Sequence, residues 1–301
     1  MWPPAPTPTD VGPPADASYW KDTPPPSVSA ADSIDVERAR GPFPAFRQIE
    51  AAWLGLVRPT LADRMIDAAW TPDAPDRYCP RCAASVGPHE AGPDGCAECH
   101  AARLPWARAV RLSEYAGLIR EVVHEIKFTA WRRLGVDAGR LLGHALAARL
   151  RDTGIDPSVA VVIPVPSTTR RRLARGIDHT LALARGVRAA TGMTIAPALR
   201  RKHRPSQTSM AATTRWRNVA GTMSVKGRFD LRQRPVILLD DVRTTGATLT
   251  EAARAVRKSI RDRALRHEQP FANACGPIWI AVLAVPRATD RRPAQETPTS
   301  L

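Results

Sequence analysis

The stretch Val236-Ile-Leu-Leu-Asp240-Asp241-Val242-Arg243-Thr244-Thr245-Gly246-Ala247-Thr248 constrains this chain more than any other part of it. Four consecutive aliphatic residues read as a buried strand that ends in two carboxylates, and a small, hydroxyl-rich turn then opens a helix near Thr248. Backbone N–H groups at such a helix N-terminus form a nest for a phosphate dianion, with Gly246 allowing close approach and the threonine hydroxyls adding donors. That assigns Thr244, Thr245, Gly246, Ala247 and Thr248 to a phosphate. Asp240 and Asp241 are expected to face sugar hydroxyls of the same ligand, because acids repel a bare phosphate unless a hydroxyl or a metal lies between. A phosphorylated ribose satisfies both halves of the turn. The competing reading is a strand end with an Asx-type turn and a threonine N-cap.

Around this stretch the chain divides by composition. Residues 1–41 hold nine prolines and a charge of −3, against +18 for the remainder, and lack a periodic apolar pattern. A segment of this kind cannot bury enough apolar surface to offset its ordering entropy, so residues 1–45 are expected to be a disordered Pro-rich tail. Residues 46–75 carry apolar residues at helical spacing, interrupted by Pro59, and read as a helical segment. From 111 to 288 strand-like runs (159–165, 236–240, 278–285) alternate with amphipathic stretches (118–128, 136–151, 178–190, 249–260). That alternation implies an α/β domain with a parallel sheet and right-handed crossovers. A disordered tail is expected over 289–301. No apolar run approaches the roughly 20 residues of a membrane-spanning helix, and the N-terminus lacks a basic start followed by an apolar stretch. The chain reads as soluble and cytoplasmic, without membrane insertion. Its net charge of +15 favours polyanionic ligands, although only five of the 44 basic residues are lysines and an Arg- and Ala-rich composition also follows from a GC-rich genome.

Cys79-Pro-Arg-Cys82 and Cys96-Ala-Glu-Cys99 lie 13 residues apart, with turn-forming Gly-Pro pairs between them. Such spacing can close four thiolates around one tetrahedral Zn²⁺, whereas a redox dithiol or two chance pairs is the alternative. Residues 76–110 have few large apolar side chains, and structural zinc supplies about 10–16 kcal/mol of apparent folding free energy, so a four-cysteine zinc ribbon is expected there. His89 and His100 lie near, but four cysteines already fill the shell. Cys275 stands alone and reads as a small buried residue.

Together these motifs resemble the ComF/GntX family, competence protein F-like or double-zinc-ribbon phosphoribosyltransferase-like proteins. The acidic turn is similar to the phosphoribosyl-pyrophosphate (PRPP) loop of type I phosphoribosyltransferases. The neighbouring features are His124 to Phe128, Val162-Ile-Pro164-Val-Pro166, Arg170-Arg-Arg-Leu-Ala-Arg175-Gly176, and Gln207, Met210, Arg215 and Asn218. The resemblance covers roughly residues 76–288. It implies a type I phosphoribosyltransferase-like parallel sheet flanked by helices, PRPP bound with Mg²⁺, and catalytic duty for Asp240 and Asp241. It places the pyrophosphate on Lys127, Arg170, Arg171, Arg175, Arg201, Gln207, Arg215 and Asn218. The acceptor is not identified by any residue. One departure is Ile177-Asp178-His179 where the family has Phe-Asn-Gln, which adds a carboxylate opposed to pyrophosphate.

The resemblance also implies association with DNA uptake and its machinery. Residues 159–235 contain 16 Lys/Arg and two Asp, a local +14, and arginine forks suit phosphate oxygens. The same groove then fits single-stranded DNA, with Trp216 between Arg215 and Arg217 either stacking on a base or packing internally. The two ligand classes are therefore a phosphoribosyl compound and single-stranded DNA.

Overall fold

Aliphatic runs that carry no charge until their last residues form strands buried on both faces, and the amphipathic stretches between them form the covering helices. The computed structural model describes residues 59–128, 132–166, 178–202, 220–227, 229–268 and 270–287. In chain order its elements are α1 (Leu61–Asp67), β1 (Ala91–Gly92), β2 (Gly95–Cys96), α2 (Ala97–Ala101), β3 (Arg108–Glu114), α3 (Gly117–Phe128), α4 (Arg132–Arg151) and β4 (Val161–Pro164). They continue as α5 (His179–Thr191), β5 (Thr194–Ile195), β6 (Leu199–Arg201), β7 (Met223–Val225), β8 (Val236–Val242), α6 (Ala247–Arg266), α7 (Phe271–Ala274) and β9 (Ile278–Val285). Among the described residues no helix is long and apolar enough to cross a membrane. Several expectations lie outside the described residues: both terminal tails, the helical segment before residue 59, and Arg170, Arg171, Arg175, Gln207, Arg215, Trp216 and Asn218.

Five strands form one parallel sheet in the order β3-β9-β8-β4-β5, and β6 and β7 pair separately as an antiparallel ribbon. The expected parallel α/β architecture flanked by helices, with a four-cysteine module N-terminal to it, is present. Strand alternation splits the core in two. Ile237 and Leu239 of β8, Val162 of β4 and Trp279, Ala281 and Leu283 of β9 meet α3, α4 and α5 on one face. Val236 and Leu238, Val161 and Ile163, and Ile278, Ile280 and Val282 meet α6 and residues Tyr78, Ala83 and Trp106 on the other.

The connections explain where a ligand can enter. From β4 the chain passes through α5 to β5 at the sheet edge, whereas from β8 it passes through α6 to β9 in the opposite direction. Right-handed crossovers running opposite ways put α5 and α6 on opposite faces, so a crevice opens between β4 and β8 at their C-terminal ends. The register sets Pro164 beside Leu239, which brings Val165 next to Asp240.

The sequence pattern shows β4, β8 and β9 but not β3. Arg-Ala-Val-Arg-Leu-Ser-Glu lacks an apolar run, yet Arg111 is 2 % exposed. Its guanidinium is buried because Asp73 pairs with it at 2.7 Å and the Ala83 carbonyl and Ser85 hydroxyl accept from it at 2.9 and 3.0 Å. The strand also runs across residue 110, where the sequence pattern places the end of the Cys module.

Helices α4 and α5 pack with their backbones in contact, which the glycines permit. A Cβ on Gly139 would stand 2.1 Å from the Leu183 carbonyl oxygen, and one on Gly186 would stand 2.0 Å from that of Val136. Gly186→Ala is therefore expected to lower the unfolding free energy by about 1–3 kcal/mol through overpacking. Gly227→Ala, whose added carbon meets nothing within 4 Å, is expected to change it by less than about 0.5 kcal/mol. Urea unfolding of the two variants checks both.

Candidate ligand site at the end of strand β8

Asp240 and Val242 through Leu249 line a recess where β8 gives way to α6. Gly246 has φ +76° and is the N-cap of α6. A side chain would strain that left-handed backbone, although the nearest atoms to an added Cβ, Arg243 Nε and Trp106 Cη2, are 3.4 and 3.6 Å away. Thr250 N donates to the Gly246 carbonyl at 2.8 Å. The Thr248 and Leu249 N–H groups precede that bond and have no acceptor within the helix. Ala247 N reaches Thr245 Oγ1 at 3.4 Å. Thr244 is exposed, Thr245 and Thr248 are half-buried, and Gly246 and Ala247 are buried. The turn thus presents amides and hydroxyls at the positive end of a helix.

The two acids do not share an environment. Successive residues of a strand point to opposite faces, so Asp240 follows Val236 and Leu238 toward α6, and Asp241 follows Ile237 and Leu239 toward α3 and α5. Asp240 lines the recess, half-buried, with its Oδ1 accepting from Asp241 N at 2.9 Å. Burial, and then the charge of Asp241, push its carboxyl up to about 7. Asp241 is 6 % exposed, and its Oδ2 lies 3.0 Å from both Lys127 Nζ and His179 Nε2. Burial pulls its pKa upward, but the His179 hydrogen bond and the Lys127 charge outweigh it and hold the carboxyl below the usual range.

Lys127 lies in the last turn of α3 as a half-buried ion-pair partner of Asp241. His179 is the first residue of α5 and is 5 % exposed, and its Nδ1 has no partner among the described residues. One donor atom each from His179, Asp240 and Asp241 falls within 4.8 Å of the others, a grouping able to hold a metal ion. In the sequence His179 stands out only as a departure from the family pattern. Its role depends on α5 starting beside the end of β8, which the sequence does not display. Asp178 has a structural job that was legible: its Oδ1 caps α5, accepting from Leu181 N at 3.3 Å and Thr180 Oγ1 at 2.9 Å. Its carboxylate is thereby engaged at the helix start. Arg201 ends β6 opposite Met223, whose N–H lies 3.5 Å from Glu251 Oε1, one turn into α6.

The four cysteines form a second, separate cluster. Cys79, Cys82, Cys96 and Cys99 are all buried, with Sγ separations of 3.6 Å (79 to 99), 3.8 Å (82 to 96) and 3.8 Å (96 to 99). A disulfide needs about 2.05 Å, whereas a tetrahedron with Zn–S bonds of about 2.3 Å has edges of about 3.8 Å. The donor set therefore fits a tetrahedral metal ion. Arg81 N and Cys96 N donate to Cys79 Sγ at 3.4 and 3.3 Å, which suits a thiolate. Hydrogen bonding within the cluster pulls the Cys79 thiol down to about 4. Burial, with the other thiols, pushes Cys99 up to about 12. His89 and His100 are exposed, outside the cluster. Cys275 lies between α7 and β9 and is half-buried where full burial was expected. Its Sγ faces the Gly276 carbonyl at 3.4 Å.

No protein-family model matches the chain. It is similar to proteins named DNA utilization protein YhgH: 27% identical over 186 residues to that of Salmonella typhi, covering 60% of this chain and 78% of the relative. The Escherichia coli K12 protein of that name is 25% identical over 166 residues, covering 54% and 72%. Among solved structures it is similar to an allosteric regulatory enzyme of purine biosynthesis (16% identity, TM-score 0.32). Another is a glutamine PRPP amidotransferase from B. subtilis complexed with ADP and GMP (15%, TM-score 0.32). Each match covers 53% of this chain but only 30% of the solved one, so the chain spans less than a third of their length.

Two outcomes follow for the site. Asp240 has a folded pKa above its unfolded value, so the folded state binds the extra proton and the contribution of this group to stability falls as pH rises from about 4 to about 7. Asp240→Asn, which keeps the neutral form, is expected to be more stable than wild type by an increment that opens across that window and is constant above it. Thermal unfolding at pH 4.5, 6 and 8 reads this out. For the four-cysteine cluster, one metal ion per chain by mass spectrometry and a thiolate-to-cobalt absorption band on Co²⁺ substitution are expected, and Cys99→Ser is expected to weaken both.

Proposed function

We propose that the recess at the end of β8 binds PRPP or a related phosphorylated ribose, in a ComF-like protein that works on DNA. The observation that carries the reading is the juxtaposition of a half-buried Asp240 with free helix N-terminal amides across one strand-to-helix turn. A phosphate satisfies the amides and threonine hydroxyls, and the ribose hydroxyls meet Asp240. Mg²⁺, when bound with the ligand, supplies charge neutralisation between pyrophosphate and ribose oxygens. Asp240, which lines the recess, would hold such a cation or the ribose hydroxyls through its carboxylate. Asp241 acts one layer behind, keeping Lys127 and His179 in place beside β8. The structural zinc of the four-cysteine module belongs to the same reading, as a closed shell without an open position for chemistry. Catalytic transfer to an acceptor requires no further base in this reading, since positioning and electrostatic stabilisation of the leaving pyrophosphate carry such steps.

The relatives' name, DNA utilization protein, supports the DNA side of the reading. The basic region 159–235 supplies a phosphate track, and a phosphoribosyl ligand and single-stranded DNA then share one groove.

Calorimetric titration of the zinc-loaded protein with PRPP and Mg²⁺ is expected to give saturable binding that single-stranded DNA displaces. Asp240→Ala is expected to abolish it, and Asp241→Ala to weaken it by releasing Lys127 and His179. If five DNA phosphates are engaged, the logarithm of the DNA affinity falls with log salt at a slope of about −3.5. Wild-type affinity for PRPP in Asp240→Ala would sink the ligand assignment. DNA binding that PRPP leaves untouched would separate the two sites.

A further inference from the structure

The Cys module and the β8–α6 turn lie on the same face of the sheet, and one side chain, Trp106, is hydrogen-bonded to the first and shares a buried cluster with Leu249 and Ala252 just after the second. Three carbonyls of the first Cys knuckle accept hydrogen bonds from β3 and the residues leading into it. Pro80 O accepts from Ala109 N at 2.8 Å, Arg81 O from Trp106 Nε1 at 2.8 Å, and Ala83 O from Arg111 Nη1 at 2.9 Å. The direction of these carbonyls is set by the tight wrapping that brings Cys79 and Cys82 to one centre. Ala83 has a left-handed φ of +59°, and its N–H returns to the Cys79 carbonyl at 2.8 Å.

Trp106 is 2 % exposed. One end of its indole is pinned by the Arg81 carbonyl, between Cys79 and Cys82. At the other end its Cη2 lies 3.6 Å from the place where a Cβ of Gly246 would stand. Gly246 is the left-handed residue that opens α6 and aims the amides of the turn. The preceding segment is tied to the same helix, because Arg257 Nη1 donates to the Pro105 carbonyl at 3.3 Å. Arg243, buried in the turn, lies against the same glycine, with its Nε 3.4 Å from the same Cβ position. A knuckle that relaxes therefore moves the indole, and the indole packs in one buried cluster with Leu249 and Ala252, the residues that set the start of α6.

We infer that Trp106 is a positioning residue for the anion-binding turn, and that the four-cysteine module sets the geometry of that turn through it. The inference rests on the reading of residues 244–249 as the anion site, but the mechanical link can be tested without any ligand. A nest binds an anion through the convergence of a few fixed N–H groups, so a small rotation at Gly246 is enough to lose affinity.

The test compares hydrogen exchange at the amides of residues 244–249 in three samples of the full chain. They are zinc-loaded wild type, wild type stripped with a chelator, and zinc-loaded Trp106→Phe. The phenylalanine variant keeps a ring and deletes the indole N–H. Exchange at 244–249 is expected to be at least tenfold faster in the second and third samples. In the variant the absorption of the cobalt-substituted cysteine cluster is expected to stay unchanged, while affinity for inorganic phosphate or PRPP falls about tenfold. Should the stripped protein unfold throughout, the zinc-loaded variant decides alone. Unchanged exchange at 244–249 in Trp106→Phe overturns the inference, as does a stripped protein that opens only at residues 79–99. Faster exchange with no phosphate or PRPP binding in wild type supports the link and counts against the ligand reading instead.

Discussion

A strand pleat sends neighbouring side chains to opposite faces, and on β8 that alternation falls across two carboxylates. Asp241 goes under the α3, α4 and α5 layer, where an unpaired charge would cost several kcal/mol, and it is tolerated because Lys127 and His179 arrive from two helices at 3.0 Å. The position of α3's last turn and of α5's first residue is thereby tied to the end of the central strand. Asp240 goes to the α6 side, where burial and its neighbour's charge outweigh the more distant cations and raise its pKa to about 7. One acid is ion-paired between two helices; the other lines the mouth of a recess. Strand geometry thus gives the Asp-Asp pair two different environments.

The opposite face is organised by the Cys module. Its own apolar content is small, with the cysteines themselves and Ala84 as its buried cluster, and its sulfur spacings fit a tetrahedral ion. It contributes Tyr78 and Ala83 to the core shared with α6 and β9, and its carbonyls satisfy the donors of Arg111 and Trp106. The module is consequently part of the core on the α6 side of the sheet and supplies hydrogen-bond acceptors to β3 and the residue leading into it.

Much of this is legible in the chain because it is local. Val236 to Thr248 announces strand, turn and helix in thirteen consecutive residues, and two C-x-x-C pairs announce a tetrahedral site by ligand chemistry alone. Parallel strands buried on both faces read as apolar runs, which is why β4, β8 and β9 stand out. β3 does not, because Arg111 and Ser113 are buried polar residues whose partners, Asp73, Ala83 and Ser85 for the arginine, come from elsewhere. The different surroundings of the two acids follow from the pleat, a rule the sequence obeys but that a motif match does not display. His179 and Trp106 escape a sequence reading for a common reason: each acts across the fold, one from α5 to β8 and the other from the Cys knuckle to Gly246. Asp178 reads as a charge hostile to pyrophosphate in a motif comparison and as an N-cap in the structure, and the Asp-His-Thr-Leu start of an apolar helix already carries that signal.

The β8 turn is proposed as an anion site, with the two acids divided between ligand and fold. A crystal structure of the zinc-loaded protein grown with saturating Mg²⁺ and PRPP is the decisive measurement. The 5′-phosphate is expected on the amides and hydroxyls of Thr245 to Leu249, with ribose hydroxyls within hydrogen-bond distance of Asp240. Asp241 should remain on Lys127 and His179. A ligand held elsewhere on the basic surface, with the recess empty or Asp241 swung out to the sugar, would contradict it.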